Sequence, residues 1–161
     1  MKITILTLFP EMFDGFMSNS IIKRAISKKV VEIKIVDIRD YTKDRYHRVD
    51  SAPVGGGAGL IMKCQPIVDS INANKEKNSH IIMLSPRGKA YKQERARELS
   101  KMDNIILLCG HYEGIDERVN KYVDVNGRPR LPMPADRQIR TGPSRPAWLL
   151  VSRPYKRGWL R

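Results

Sequence analysis

Residues 80–86 (H-I-I-M-L-S-P) and 104–110 (N-I-I-L-L-C-G) are apolar without interruption, and each run ends at a proline or glycine. A strand with one wet face alternates apolar and polar residues. A run with no alternation is the signature of a strand buried on both faces of a parallel sheet. Two further segments, 2–8 (K-I-T-I-L-T-L) and 30–38 (V-V-E-I-K-I-V-D-I), are rich in β-branched residues, and the second shows a clear period of two. Between them Pro10 suits the first turn of a helix, and S-I-I-K-R-A-I-S-K-K places apolar residues at helical spacing. Helical stretches near 65–75 and 90–101 separate the later strands. The order strand, helix, strand, loop, helix, strand, helix, strand predicts an α/β fold, a parallel sheet flanked by helices with right-handed crossovers.

A chain of 161 residues accommodates one domain, or one domain with an appendage. The formal charge of +13 is unevenly spread. Residues 125–161 hold nine Lys/Arg against the single acid Asp136, six of the ten prolines and both tryptophans. The first 124 residues then carry only +5. The composition break divides the chain into a body, 1–124, and a basic Pro/Arg-rich tail, 125–161. The basic balance favours a polyanionic partner. Cys64 and Cys109 have no metal-ligand spacing and imply reduced thiols in a cytoplasmic setting. The opening M-K-I-T-I-L-T-L-F-P-E passes straight into an acidic residue and is read as a first strand, not a signal peptide. No apolar run approaches a membrane span, and no carboxylate-rich metal motif is visible.

Ligands of such sheets sit beyond the carboxyl ends of the strands. Three glycine-bearing loops fall there: 39–59 (R-D-Y-T-K-D-R-Y-H-R-V-D-S-A-P-V-G-G-G-A-G), 84–89 (L-S-P-R-G-K) and 109–114 (C-G-H-Y-E-G). None is a phosphate loop, because the Lys-Ser/Thr pair of G-x-x-x-x-G-K-[ST] is absent. None is the dinucleotide fingerprint G-x-G-x-x-G. Bare glycines let backbone approach a flat ligand and permit positive φ, so two such loops on neighbouring buried strands suit a nucleoside clamp. The plainer alternative is that Gly88 and Gly110 merely turn the chain out of the sheet.

Four motifs in order, L-T-L-F-P-E-M-F, V-D-x-x-P-x-G-G-G-A-G-L, L-S-P-R-G-K and C-G-H-Y-E-G-I-D-E-R, resemble the bacterial tRNA (guanine-N1)-methyltransferases, the TrmD family of the SPOUT class. The resemblance runs from Met1 to about Asp124. It implies methyl transfer from S-adenosylmethionine to N1 of the guanine 3′ of the anticodon. It also implies a trefoil-knotted sheet and a homodimer with a shared active site. By resemblance, Leu84, Ser85, Pro86, Gly88, Gly110, Tyr112 and Gly114 contact the cofactor, largely through backbone, and Glu113 matches the family's glutamate beside the target guanine. His111 is read as a spacer and Cys109 as a small core residue.

The loop at 39–59 resembles the family's segment that contacts tRNA and the partner subunit. Arg45, His47, Arg48 and Asp50 would face RNA or that subunit, with Gly55, Gly56, Gly57 and Gly59 allowing close approach. Val54 stands where the family usually has tyrosine. An ordinary solvated face remains the alternative for Lys43, Arg45 and Arg48.

After Asp124 the resemblance stops. The family's third cofactor loop, I-G-D-Y-V-L-T-G-G-E, and its C-terminal domain with a catalytic Asp and Arg have no counterpart in residues 125–161. Those residues read either as an RNA-binding arm or as a shifted reading frame, since codons for D-R-Q-I-R-T (136–141) read one nucleotide later can spell I-G-K-Y-V-L. The resulting expectation is a methyltransferase body whose activity is impaired. The alternatives are a non-catalytic RNA-binding protein on the same fold, or another SPOUT methyltransferase acting on RNA.

Overall fold

The computed structural model of the chain describes residues 1–85 and 91–124. Among these residues the main sheet holds four strands: β1 (Lys2–Thr7), β2 (Glu32–Asp37), β5 (Ser79–Leu84) and β6 (Asn104–Cys109). Their order is β2-β1-β6-β5, and every pair is parallel. The register is direct: Lys2 lies beside Glu32 and Asn104, and Leu84 beside Cys109. All four strands therefore end at one level, and their carboxyl-end loops gather on one edge.

Crossovers join the strands. After β1, Pro10 opens a 3-10 turn, Pro10–Phe13, where its missing N–H costs nothing. Short helices α1 (Asp14–Ser18) and α2 (Ser20–Ser27) follow, broken at Asn19, whose backbone is extended. Asp37 ends β2 and accepts the Arg39 N–H at 2.8 Å, starting a second 3-10 turn, Ile38–Tyr41. Helix α3 (Cys64–Asn74) buries Pro66, Ile67, Ser70 and Ile71, one face at helical spacing. Helix α4 (Gln93–Leu99) is shorter than the predicted stretch and buries none of its residues.

The core forms where strand and helix faces meet. Leu6, Ile38, Ile67, Ile71, Ile81, Ile106 and Leu108 are all but inaccessible to solvent. The uninterrupted apolar runs thus belong to strands covered on both sides, as their patterning predicts. Asp124 closes the described body against β5: its N–H donates to the Ile81 carbonyl at 3.1 Å, and its carboxylate accepts the Ile81 N–H at 2.8 Å. No described helix is long and apolar enough to cross a membrane.

A second, smaller sheet has no counterpart in the sequence reading. It comprises β3 (Asp50–Ser51), β4 (Ile61–Met62) and β7 (Gly114–Ile115) in the order β3-β4-β7. β3 runs antiparallel to β4, and β4 parallel to β7.

The core predicts its own sensitivity. Ile106→Ala, at a position 1% exposed, should cost about 2–5 kcal/mol in denaturant unfolding through lost burial and an unfilled cavity. Ile21→Ala, 72% exposed on α2, should change stability by no more than about 0.5 kcal/mol.

Candidate functional site

The small sheet binds two loops that the sequence keeps far apart. Ile61 pairs with Gly114 and Met62 with Ile115. The Glu113 N–H donates to the Leu60 carbonyl at 3.1 Å, and the Asp116 N–H to the Met62 carbonyl at 3.0 Å. On the other side the Lys63 N–H donates to the Val49 carbonyl at 2.7 Å. The end of the glycine loop, Gly59 and Leu60, is thereby held against residues 113–115, beyond the carboxyl end of β6.

Close packing explains two of the glycines. Gly59 lies at φ +92°, and a Cβ there would stand 2.2 Å from Cγ of Glu113. The exposed Glu113 side chain therefore occupies the space that Gly59 leaves open. A Cβ on Gly110 would meet Cδ1 of Ile115 at 3.0 Å and the Leu84 carbonyl oxygen at 3.8 Å. Leu84 and Gly110 thus lie side by side where β5 and β6 end. A Cβ on Gly114 would meet nothing within 4 Å. In the C-G-H-Y-E-G loop the left-handed backbone falls on Tyr112, at φ +62°, and on neither glycine. Ser85 follows Leu84 directly, while Pro86 and Gly88 lie outside the described residues.

His111, read from sequence as a spacer, is a structural member of this loop. Its ring meets Phe9 edge-on at 4.8 Å and Tyr112 at 4.8 Å. Its N–H donates to the sulfur of buried Met62 at 3.3 Å. Arg39 extends the row: its guanidinium lies 5.4 Å from the centre of the Phe9 ring and donates to the Leu8 carbonyl. The only sequence signal for this row was the aromatic pair His111–Tyr112 facing Phe9 across adjacent strand ends. That adjacency is knowable only once β1 and β6 are paired.

The basic segment before β3 is wired to α3 and to itself. Gln65 of α3 donates to the Tyr41 carbonyl at 2.7 Å and accepts the Lys43 N–H at 3.4 Å. Arg48 grips Asp44, with Nε 3.1 and 3.0 Å from its two oxygens and Nη2 at 2.8 Å. That guanidinium, helped by the Tyr46 N–H, holds the Asp44 carboxyl at about 2, well below the usual carboxylate range. His47 takes a left-handed backbone at φ +54°, with Nδ1 3.4 Å from the Arg39 carbonyl oxygen. Arg45 is exposed, and Asp50 is half-buried in β3 opposite Met62. Burial pushes the Cys109 thiol up, and desolvation followed by the charge of Asp116 does the same for Cys64. Neither thiol is activated.

The geometry meets its match in known proteins. Residues 1–127 fit the family model described as tRNA (Guanine-1)-methyltransferase TrmD. The chain belongs to that family. A tRNA (guanine-N(1)-)-methyltransferase of Clostridium perfringens strain SM101 is 57% identical over 126 residues, 78% of this chain and 53% of that protein. One from Carboxydothermus hydrogenoformans is 52% identical over 123 residues, 76% of this chain and 49% of that protein. The crystal structure of the tRNA (m1G37) methyltransferase from Aquifex aeolicus superposes with a TM-score of 0.73 at 33% identity. That superposition covers 82% of this chain and 60% of the Aquifex chain. The TrmD-family chain thus spans about half the length of the curated relatives it matches.

The contact between Gly59 and Glu113 predicts a coupled pair. Gly59→Ala should destabilise the chain by about 1–3 kcal/mol from backbone strain alone. The clash with Glu113 should add about 1–2 kcal/mol that disappears in a Glu113→Ala background, as a double-mutant cycle of denaturant unfolding would measure. Because the Asp44 pKa is lowered on folding, its pairing contribution is fully present above the ordinary carboxylate range of about 3.9. That contribution should be lost as pH falls through about 2. Carboxyl NMR titration should place the midpoint there, and Arg48→Ala should return it towards about 3.9.

Proposed function

We propose that residues 1–124 form the cofactor-holding and guanine-facing part of a methyltransferase acting at N1 of the guanine 3′ of the anticodon in tRNA. The cofactor is S-adenosylmethionine. The observation that carries this reading is the β4–β7 join, which sets Glu113 against Gly59 and Ile115 against Gly110 at the end of β6.

The cradle suits a flat nucleoside. Leu84 and Gly110 present adjacent backbone, and the space over Gly114 is open. Leu84, Ser85, Gly110, Tyr112 and Gly114 would hold S-adenosylmethionine, together with Pro86 and Gly88 beyond the described residues. When bound, that cofactor supplies an electrophilic methyl group on a sulfonium. Glu113 is exposed and accepts hydrogen bonds when ionised, so it can take the N1–H or N2–H edge of a guanine placed between the two loops. Arg45, His47 and Arg48 lie on the exposed 39–59 loop and suit phosphate contacts, which position RNA without reading sequence. Asp50, Gly55, Gly56, Gly57 and Gly59 shape that loop for RNA or for a partner subunit.

A cytoplasmic homodimer with a knotted sheet and a shared site completes the reading. The exposed apolar side chains of Met12 and Phe16, on the crossover after β1, suit a subunit contact. A non-catalytic RNA binder is the second reading, favoured by the basic composition of residues 125–161.

Loss of a positioned general base costs roughly 10²–10⁴ in rate. Residues 125–161 hold no counterpart of the family's aspartate and arginine, so residues 1–161 assayed by themselves should give little or no methyl transfer to such a tRNA. Calorimetry with S-adenosylmethionine separates the two readings, because a pure RNA binder gives no heat. Gly110→Ala should abolish that heat, since its methyl group pushes the Ile115 side chain aside and covers backbone that the cofactor would approach. Unchanged binding in this variant would refute the assignment of the loop. Robust radiolabelled methyl incorporation by the chain itself would overturn the account of the missing base.

A further inference from the structure

Between Thr42 and Arg48 the chain makes a closed, self-bonded turn. The Thr42 hydroxyl donates to the Arg48 carbonyl at 3.1 Å and accepts the Asp44 N–H at 3.2 Å. Asp44 is the half-buried hub: its carboxylate accepts the Tyr46 N–H at 2.8 Å besides gripping Arg48, and its carbonyl accepts the His47 N–H at 3.0 Å. What these bonds display is an aromatic ring beside a cation. Tyr46 is 72% exposed, and the Arg48 guanidinium stands 5.4 Å from the centre of its ring. Lys43, Arg45 and His47 of the same turn are exposed as well.

A large ring left in water on a turn this well bonded is not a core residue displaced by chance. The backbone of the turn is fixed by its own hydrogen bonds, and none of them uses the ring. Arg48 is equally constrained: its Nε and one Nη are taken by Asp44, which leaves its flat face on Tyr46. A fixed aromatic face flanked by cations matches an unpaired nucleobase with its phosphates. Every base offers a π-face, single-stranded loops can splay their bases outward, and the sugar–phosphate chain brings negative charge alongside. A double-stranded stem offers the phosphates but keeps its bases stacked inside.

We infer that Tyr46 is a stacking seat for one unpaired base of an RNA loop, with Arg48 fixed beside the ring by Asp44 to meet the adjoining backbone. This deepens the tRNA reading above and rests on it. The seat supplies affinity for looped RNA without dictating which base is bound, because stacking tolerates sequence.

Fluorescence anisotropy on the full chain tests this with two labelled RNAs: a hairpin carrying an unpaired loop, and a blunt duplex of the same stem. Tyr46→Ala should weaken hairpin binding about 10-fold, leave duplex binding unchanged and leave the salt slope of both intact. Tyr46→Phe should bind both RNAs as the parent chain does. Arg48→Ala should weaken both RNAs and lower the salt slope by about one. Thermal melts of the variants check folding, which an exposed ring should not affect. Hairpin affinity unchanged by Tyr46→Ala would overturn the inference. So would an equal loss for hairpin and duplex, or a Tyr46→Phe variant that behaves like the alanine one. A Tyr46→Ala chain whose sedimentation mass drops would assign the ring to a subunit contact instead. A parent chain that binds hairpin and duplex alike, yet binds S-adenosylmethionine, overturns the stacking seat and leaves the methyltransferase reading standing. A parent chain that binds neither RNA overturns both.

Discussion

Four backbone residues, Ile61, Met62, Gly114 and Ile115, make the pairing on which the rest of the site depends. The main sheet supplies parallel strands ending at one level, but it does not by itself say where a long excursion such as residues 39–60 should lie. The parallel join of β4 to β7 does. It draws the glycine loop over the end of β6, sets Gly59 against Glu113, and lets Ile115 cover Gly110. Main-chain bonds of this kind depend little on side-chain identity, so the outer residues of both loops can vary while their separation stays fixed.

A second layer of restraint comes from side chains. Arg39, Phe9, His111 and Tyr112 form a continuous row linking the ends of β2, β1 and β6. Edge-on ring pairs contribute about 0.5–1.5 kcal/mol each beyond the area they bury. They also set the direction in which Tyr112 leaves its strained left-handed backbone. A non-glycine residue in that region costs about 1–3 kcal/mol and persists only where its surroundings demand it. The His111 N–H bond to Met62 and the Glu113 N–H bond to Leu60 bracket Tyr112 and supply that demand.

The four main strands were legible because their information is local. Uninterrupted runs such as I-I-M-L and I-I-L-L report burial on both faces, and the observed strands match them to within a residue or two. Helix α3 was legible for the same reason, with Ile67 and Ile71 one turn apart. The small sheet was not. Two-residue strands such as Asp50–Ser51 and Gly114–Ile115 show no period, and the β4–β7 pairing spans some fifty residues of chain. Family motifs pointed to Gly110, Tyr112 and Glu113, but not to the packing of Gly59 on Glu113. Nor did they reveal His111 as a packed ring, because both depend on loops meeting in space. Tyr46 passed unremarked for a related reason. Among neighbouring basic residues it reads as one more polar surface position, and only the bonding of the turn shows Arg48 fixed beside its ring.

The strand order also has a kinetic side. Among the described strands of the main sheet β6 is the last to be synthesised, yet it lies between β1 and β5, so these two parts of the sheet cannot meet until it enters. On a ribosome β1 and β2 can pair early through a local crossover, while β5 must wait with Ile81, Ile82 and Met83 uncovered until residue 109 has emerged. Pairings separated by about a hundred residues pay their loop-closure entropy before any contact rewards it, and such sheets assemble slowly. The nascent chain therefore passes through an interval with an unclaimed apolar strand, the condition under which chaperone capture and misassembly compete with folding.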